Sequence, residues 1–163
     1  MARLTFVGGI HPYDGKDLSK DKPIREVLPK GDLVYPLSQH IGAPAQPIVK
    51  KGDRVLTGQK IAEAGGFVSA PVYASVSGKV KAIEPRRVVT GDLVMSIVVE
   101  NDELYEEVDR PEPAPFEELT REEKIGLIRE AGIVGMGGAG FPTAVKLSPK
   151  EPEKIEYVIV NCA

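Results

Sequence analysis

Up to about residue 101, apolar residues come in short runs separated by glycine, proline and aspartate. Residues 33–37, with Leu33, Val34, Tyr35 and Leu37, form one run, and residues 47–50, with Ile48 and Val49, form another. Runs of this length bounded by turn residues predict strands. Lys51, Gly52 and Asp53 mark a turn, after which residues 54–56 and 57–62 predict two further short strands. Residues 78–83 alternate apolar and polar, the period of a half-buried strand, whereas residues 93–99 are almost continuously apolar, as in a strand buried on both faces. A weak internal echo relates Ala43-Pro44 and its following Gly52-Asp53 to Ala70-Pro71 and the later Gly91-Asp92. Two quasi-equivalent halves of short strands suit a small sandwich or barrel. Residues 1–28 lack a period and are broken by Gly8, Gly9 and Pro12, which predicts loops wrapping the β-unit.

The texture changes after residue 101. Pro111, Pro113 and Pro115 stand at alternate positions and predict an extended connector. Thr120 followed by Glu123 fits a capping box, in which each side chain satisfies the other residue's backbone N–H. Ile125, Ile128 and Ala131 then form an apolar stripe edged by Leu127, and Gly132 is a C-terminal stop. Residues 155–160 predict a strand, after which come Asn161, Cys162 and Ala163.

Composition narrows the possibilities. At roughly 100–200 residues per domain, 163 residues make one ordinary domain or two small ones. The hydrophobic fraction of 42% is enough for a core. With aromatics at 6% and no Trp, that core must come from Val, Ile, Leu and Ala. The 17 glycines and 14 prolines are too much punctuation for a helix bundle. A net charge of −3 argues against a generic electrostatic nucleic-acid binder. The charge is uneven: residues 102–130 hold 11 acidic and 4 basic residues, so the remainder is net positive. The acidic stretch is expected to be a solvated helix face and linker, or a contact for a basic partner. No apolar run is long enough to span a bilayer, and residues 1–10 lack a signal-peptide pattern. The lone Cys162 excludes an internal disulfide and an iron–sulfur cluster held by the chain's own cysteines. It is expected to be a buried or edge thiol rather than a nucleophile. His11 and His40 have no Cys or second His at ligand spacing, so no metal site is expected. Arg86-Arg87 could meet an acidic partner or simply be solvated.

The densest chemical signal is residues 132–143, where Gly135, Gly137, Gly138 and Gly140 precede Phe141, Pro142 and Thr143. Such a loop can approach a ligand closely and turn successive N–H groups toward an anion. A helix beginning at Pro142 or Thr143 would add positive potential, and Lys146, one turn on, would supply countercharge. The alternative is a flexible glycine loop that holds no ligand. Neither the Walker nor the Rossmann pattern is present, since no Gly-Lys-Ser/Thr occurs and no predicted strand leads into the glycines. Phe141 could stack on a flavin or nicotinamide ring, or anchor the loop in the core.

The run Gly135-Met136-Gly137-Gly138-Ala139-Gly140-Phe141-Pro142-Thr143, with Lys146 beyond it, resembles the flavin and NADH-binding domain shared by the flavin subunit of respiratory complex I and the C subunit of Rnf electron-transport complexes. Met136 stands where the complex I version usually has Arg. Gly8-Gly9-Ile10-His11-Pro12, residues 36–44, Gly58-Gln59 and residues 69–78 resemble the N-terminus of the Rnf C subunit, a segment the complex I subunits lack.

The resemblance implies an α+β chain. Residues 1–30 would be an irregular wrap and residues 31–101 an all-β barrel-sandwich hybrid of the biotinyl and lipoyl carrier kind. Residues 102–118 would be an acidic, proline-rich linker, and residues 119–163 the start of a truncated α/β flavin and NADH-binding domain. The carrier stretch 64–70 has no lysine, so a swinging arm is not expected and a structural or docking role is. Gly135, Gly137, Gly138, Ala139, Gly140, Phe141, Lys146 and Asn161 would line the cofactor site: loop backbone and Lys146 on phosphate, Asn161 on the isoalloxazine or ribityl group. No catalytic residue is assigned, because the chemistry would be the cofactor's.

The resemblance further implies FMN and NADH as cofactors of the parent subunit, with two 4Fe–4S clusters in a C-terminal part beyond Ala163. The chain is expected to be a fragment that is inactive alone. Its predicted last strand would then leave an exposed apolar edge. The parent would pass electrons between NADH and ferredoxin, coupled to ion movement in membrane subunits. Its partners would be those membrane subunits, ferredoxin-like subunits and, indirectly, ferredoxin. Its expected place is peripheral, on the cytoplasmic side of the cell membrane. The alternative function is a non-catalytic docking or assembly module with a structural glycine loop; the third is a carrier domain.

Overall fold

The computed structural model describes residues 8–10, 12–110 and 114–159. The strands are β1 (Asp32–Pro36), β2 (Gln46–Pro47), β3 (Arg54–Val55), β4 (Lys60–Glu63), β5 (Val72–Tyr73), β6 (Gly78–Arg87) and β7 (Leu93–Asn101). They form one sheet of order β1-β7-β6-β3 and a second of order β2-β4-β5, with antiparallel ladders. Strand β7 lies between β1 and β6, and Ser96, Ile97, Val98 and Val99 are all buried, whereas Leu93 and Met95 are exposed, so the buried strand expected over 93–99 holds only for its second half. Val55, Ile61, Val72, Val76, Val80, Ile97 and Val99 meet in one cluster drawn from both sheets, so the core sits between them. This is the small sandwich expected for the first hundred residues, filled by aliphatic side chains.

Strand β6 runs to Arg87, beyond the alternating stretch 78–83. Val80 pairs with Val99 and Ala82 with Val98, so Lys81 is the extra residue of a bulge. A bulge increases local twist and re-aims the side chains that follow, which breaks the alternation read from sequence. Pro85 also hides the strand. It is tolerated because β3 covers only Gly78 and Lys79, leaving that edge of β6 unpaired beyond them. The run at 47–50 shrinks instead. Only Gln46 and Pro47 pair with β4, although Ile48 N–H still donates to the Ile61 carbonyl at 3.0 Å.

The stretch expected to be a linker from residue 102 is strapped to the sandwich as far as residue 110. Thr57 N–H donates to the Glu106 carbonyl (2.8 Å), and Val108 N–H donates back to the Thr57 carbonyl (3.0 Å). The buried Ser77 hydroxyl donates to Asp102 Oδ1 (2.6 Å) and accepts the Glu106 N–H (3.0 Å). That hydroxyl, joined by the Leu104 N–H, holds the Asp102 carboxyl below the usual carboxylate range. Arg54 closes the strap on Glu106 at 2.7 Å. The acids of this stretch therefore serve specific partners as well as solvent. Among its described residues the N-terminal segment contains one 3₁₀ turn, Lys16–Leu18, and leaves Ile24 and Val27 exposed. It is fastened where Asn101 Nδ2 (2.7 Å) and the Tyr105 hydroxyl (2.8 Å) both donate to the Pro29 carbonyl.

Helix α1 (Arg121–Glu130) begins at the expected capping box. Thr120 Oγ1 accepts the Glu123 N–H at 3.3 Å, and the Glu123 carboxylate accepts the Thr120 N–H at 2.8 Å. The latter bond keeps the Glu123 carboxyl below its usual range. Gly132 ends the helix at φ 67°. Helix α2 (Thr143–Lys146) is a single turn whose Ala144 is buried, and Arg121 Nη2 ties it to the start of α1 by donating to the Leu147 carbonyl at 3.1 Å. The strand expected at 155–160 is not formed over its described residues. Residues 155–159 join no ladder, and Ile155, Tyr157, Val158 and Ile159 are exposed. β-propensity makes a strand only where a neighbour supplies hydrogen bonds, and the described residues offer none there. Val160 lies outside the described residues.

Candidate functional site

The glycine-rich segment folds as a hairpin between α1 and α2. Val134 bridges Pro142 in antiparallel fashion, Gly135 N–H donates to the Phe141 carbonyl (2.8 Å), and Thr143 N–H donates to the Ile133 carbonyl (2.9 Å). These bonds close a tip made of residues 136–140. Met136, Gly137, Gly138 and Ala139 are exposed, Phe141 is half-buried and Gly140 is buried. Among the described residues, no N–H from Met136 to Phe141 makes a backbone or side-chain hydrogen bond of normal geometry. The tip therefore presents donors that water or an anion can satisfy.

Lys146 follows from the end of α2 and folds back so that its ammonium lies on Gly135. A methyl group at 135 would overlap the Lys146 Nζ. Among the described residues this ammonium has no acidic partner. A cation at the base of a hairpin whose tip exposes backbone N–H groups and carries no carboxylate of its own is a setting for a phosphate. Helix α2 is too short to contribute a useful dipole. The anchoring comes from the hairpin and from Lys146.

Seven of the eight residues expected from sequence thus converge: Gly135, Gly137, Gly138, Ala139, Gly140, Phe141 and Lys146 share one hairpin and the turn after it. Asn161 lies outside the described residues, as do His11 and Cys162. His40 is where sequence reasoning falls short. The pattern around it predicts only a loop histidine that hydrogen-bonds backbone. It does so, but it also forms part of the hairpin's seat. Ile41 N–H donates to the Ala139 carbonyl at 2.9 Å. A Cβ on Gly140 would stand 2.7 Å from the Gln39 carbonyl oxygen and 3.0 Å from His40 Cα. Gly140 also sits at φ 62°, the left-handed region that favours glycine. The signal available in sequence is only a Gly- and Pro-flanked polar loop, which says nothing about its distant partner.

A second joint holds the base of the hairpin. Lys60 on β4 pairs with Glu130 at the end of α1, and the Tyr73 hydroxyl of β5 donates to the Glu130 carbonyl. The bond to Glu130 raises the Lys60 ammonium's pKa above its ordinary value, and burial pushes the Tyr73 phenol up. Between the two joints lies a cleft of about 350 Å³, walled by Tyr35, His40, Pro71, Tyr73, Gly132 and Val134. The β4–β5 hairpin, where a carrier domain would bear its lysine, exposes Phe67 instead. Among the described residues there is no cluster of three or more His, Cys, Asp or Glu, and no helix is long and apolar enough to cross a membrane.

Two family models match successive parts of the chain. Residues 128–163 match the Nuo51 FMN-binding domain, a span that contains the whole glycine hairpin, α2 and Lys146. The chain is 46% identical over 98% of its length to the C subunit of a Na(+)-translocating ferredoxin:NAD(+) oxidoreductase complex from Acetobacterium woodii, covering 36% of that protein. It is 47% identical over 98% of its length to the C subunit of a proton-translocating ferredoxin:NAD(+) oxidoreductase complex from Clostridium ljungdahlii, covering 35% of it. The C subunit of an ion-translocating oxidoreductase complex from Vibrio cholerae is 42% identical over 97% of the chain, which covers 21% of that relative. The chain thus spans about a third or less of the length of these relatives. Residues 4–104, well over half of the chain, match the RnfC barrel sandwich hybrid domain, and with its two-sheet sandwich the chain belongs to the RnfC family.

Proposed function

We propose that the chain is the N-terminal portion of the C subunit of an ion-translocating ferredoxin:NAD⁺ oxidoreductase, and that its glycine hairpin cradles the phosphate of FMN. The observation that carries this reading is the Lys146 ammonium lying on Gly135, without an acidic partner among the described residues, at the base of a tip whose N–H groups make no hydrogen bond of normal geometry there. The residues fit the group: a phosphate monoester carries about two negative charges near neutral pH and takes charge-assisted hydrogen bonds from an amine and from backbone N–H groups. When bound, FMN would supply hydride and single-electron chemistry. The chain's own part is to hold it. Gly137, Gly138 and Ala139 would donate from the backbone, Lys146 would neutralise charge, Phe141 would wall the site, and Asn161 would contact the ring or ribityl chain.

The remaining assignments follow from the same reading. The two 4Fe–4S clusters belong to the longer subunit, since a single cysteine cannot ligate a cluster, and NADH is a cofactor of that longer subunit. Residues 31–101 act as a docking and positioning module, residues 102–118 as the connection and residues 119–163 as the opening of the flavin domain. The subunit sits peripherally at the cytoplasmic face of its membrane partners. The test is an FMN titration of the full-length subunit. Lys146→Ala should weaken binding about tenfold or more, the scale of one charge-assisted hydrogen bond. Unchanged affinity in that variant would exclude the phosphate role. A full-length protein that never binds FMN would favour the assembly-module reading.

A further inference from the structure

His40 is buried between the sandwich and the hairpin tip, and both of its ring nitrogens are engaged by backbone groups. Ala70 N–H donates to Nε2 at 3.0 Å. A backbone N–H can only donate, so Nε2 is bare and the ring proton sits on Nδ1, facing the Ile41 carbonyl at 3.2 Å. The Ala70 carbonyl, also 3.2 Å from Nε2, is then a neighbour and not a partner. Ile41, pinned in this way by its carbonyl, turns its own N–H to the Ala139 carbonyl. The next residue of the tip, Gly140, rests on the backbone of Gln39 and His40. A continuous chain of contacts thus runs from Ala70, two residues before β5, through the His40 ring and Ile41 to the hairpin tip.

We propose that His40 is a positioning residue for the phosphate-binding hairpin: through Ile41 it holds the Ala139 and Gly140 backbone in place, so that the sandwich domain sets the affinity of the flavin domain's loop. This rests on the reading of the hairpin as a flavin-phosphate cradle. The physical reason is entropic. A glycine-rich tip loses more conformational freedom than any other sequence when it is ordered around a ligand, and a tip already seated on a rigid sheet has lost much of it beforehand. His40 never needs to touch the cofactor to matter.

The experiment uses the full-length subunit and three variants: His40→Ala, His40→Gln and Gly140→Ala. His40→Ala removes both ring contacts. His40→Gln keeps an acceptor for Ala70 and a donor for Ile41 at similar separation. His40→Ala should weaken FMN binding about tenfold and speed hydrogen exchange of the Ile41 amide by a similar factor, the scale of a lost hydrogen bond. Exchange within β6 and β7 should not change, and His40→Gln should restore both readouts. Unchanged FMN affinity and Ile41 exchange in His40→Ala overturn the proposal. So does exchange that quickens equally across the strands, which would make His40 a mere core residue. Should His40→Ala fail to fold, Gly140→Ala displaces the tip from the same seat with His40 intact; the same losses are expected, and their absence overturns the proposal. If wild type binds no FMN, the flavin reading fails by itself, whereas a local rise in Ile41 exchange in His40→Ala still upholds the positioning role.

Discussion

Replacing Gly140 by alanine should lift the glycine hairpin off the sandwich without unfolding the sandwich itself. Two penalties act on the new methyl group. At φ 62° an L-residue with a Cβ costs about 1–2 kcal/mol. The methyl also stands 2.7 Å from the Gln39 carbonyl oxygen and 3.0 Å from His40 Cα, backbone atoms that cannot rotate away. Relieving that overlap brings the total to about 2–5 kcal/mol, by analogy with other overpacked sites. Holding the tip down is one backbone hydrogen bond, Ile41 to Ala139, worth about 1 kcal/mol net. The strain is the larger quantity, so the tip leaves its seat. The core around Val55, Ile61 and Ile97 belongs to the two sheets and loses nothing. The assay is amide hydrogen exchange read at Ile41, whose N–H loses its acceptor, together with thermal unfolding. Exchange at Ile41 should rise about tenfold or more while the unfolding midpoint stays in place. An Ile41 amide as protected as in wild type would contradict this outcome, since it would mean that the tip absorbs a Cβ in place.

Ile97→Ala, at a fully buried position on β7 opposite Tyr35 and Ile83, should cost about 2–5 kcal/mol in denaturant unfolding. Asp102 and Glu123 both have carboxyls held below their ordinary range by hydrogen bonds made in the fold. Their contribution is therefore complete above the unfolded carboxylate pKa and is lost as pH falls through the lower folded values, so urea midpoints should drop on the acid side. Ser77→Ala removes the main cause at Asp102 and should shrink that acid loss while loosening the strap, as limited proteolysis between residues 102 and 110 would detect. Tyr73→Phe deletes the phenol's bond to the Glu130 carbonyl; exchange at the C-terminal turn of α1 should quicken while β4 and β5 stay protected.

Much of the chain's organisation is already written in local pattern. The capping box at Thr120, the stop at Gly132 and the turn at Gly52-Asp53 depend on neighbours within a few residues, so sequence suffices to find them. The candidate site is legible for the same reason: the glycines, Phe141 and Lys146 lie within twelve residues, close enough for one hairpin and one helical turn to bring them together. What sequence could not supply is pairing over distance. The bulge at Lys81 and the bare edge that admits Pro85 depend on β7 and on the brevity of β3. Residues 155–159 carry strand composition but have no ladder, because a strand is a property of two chain segments.

The order of residues alone is enough to establish the two textures of this protein and its aliphatic core, and to single out the glycine loop as the candidate site. Three further features exist only once the chain is folded. The acidic stretch after residue 101 is a strap, Lys146 leans on Gly135, and the tip of the loop is seated on Ile41 and His40, about a hundred residues away in the chain. Those contacts are made by backbone groups, a buried ring and a lysine that folds back on its own loop. They leave no periodicity behind, because they arise from how folded segments meet and not from how each one forms.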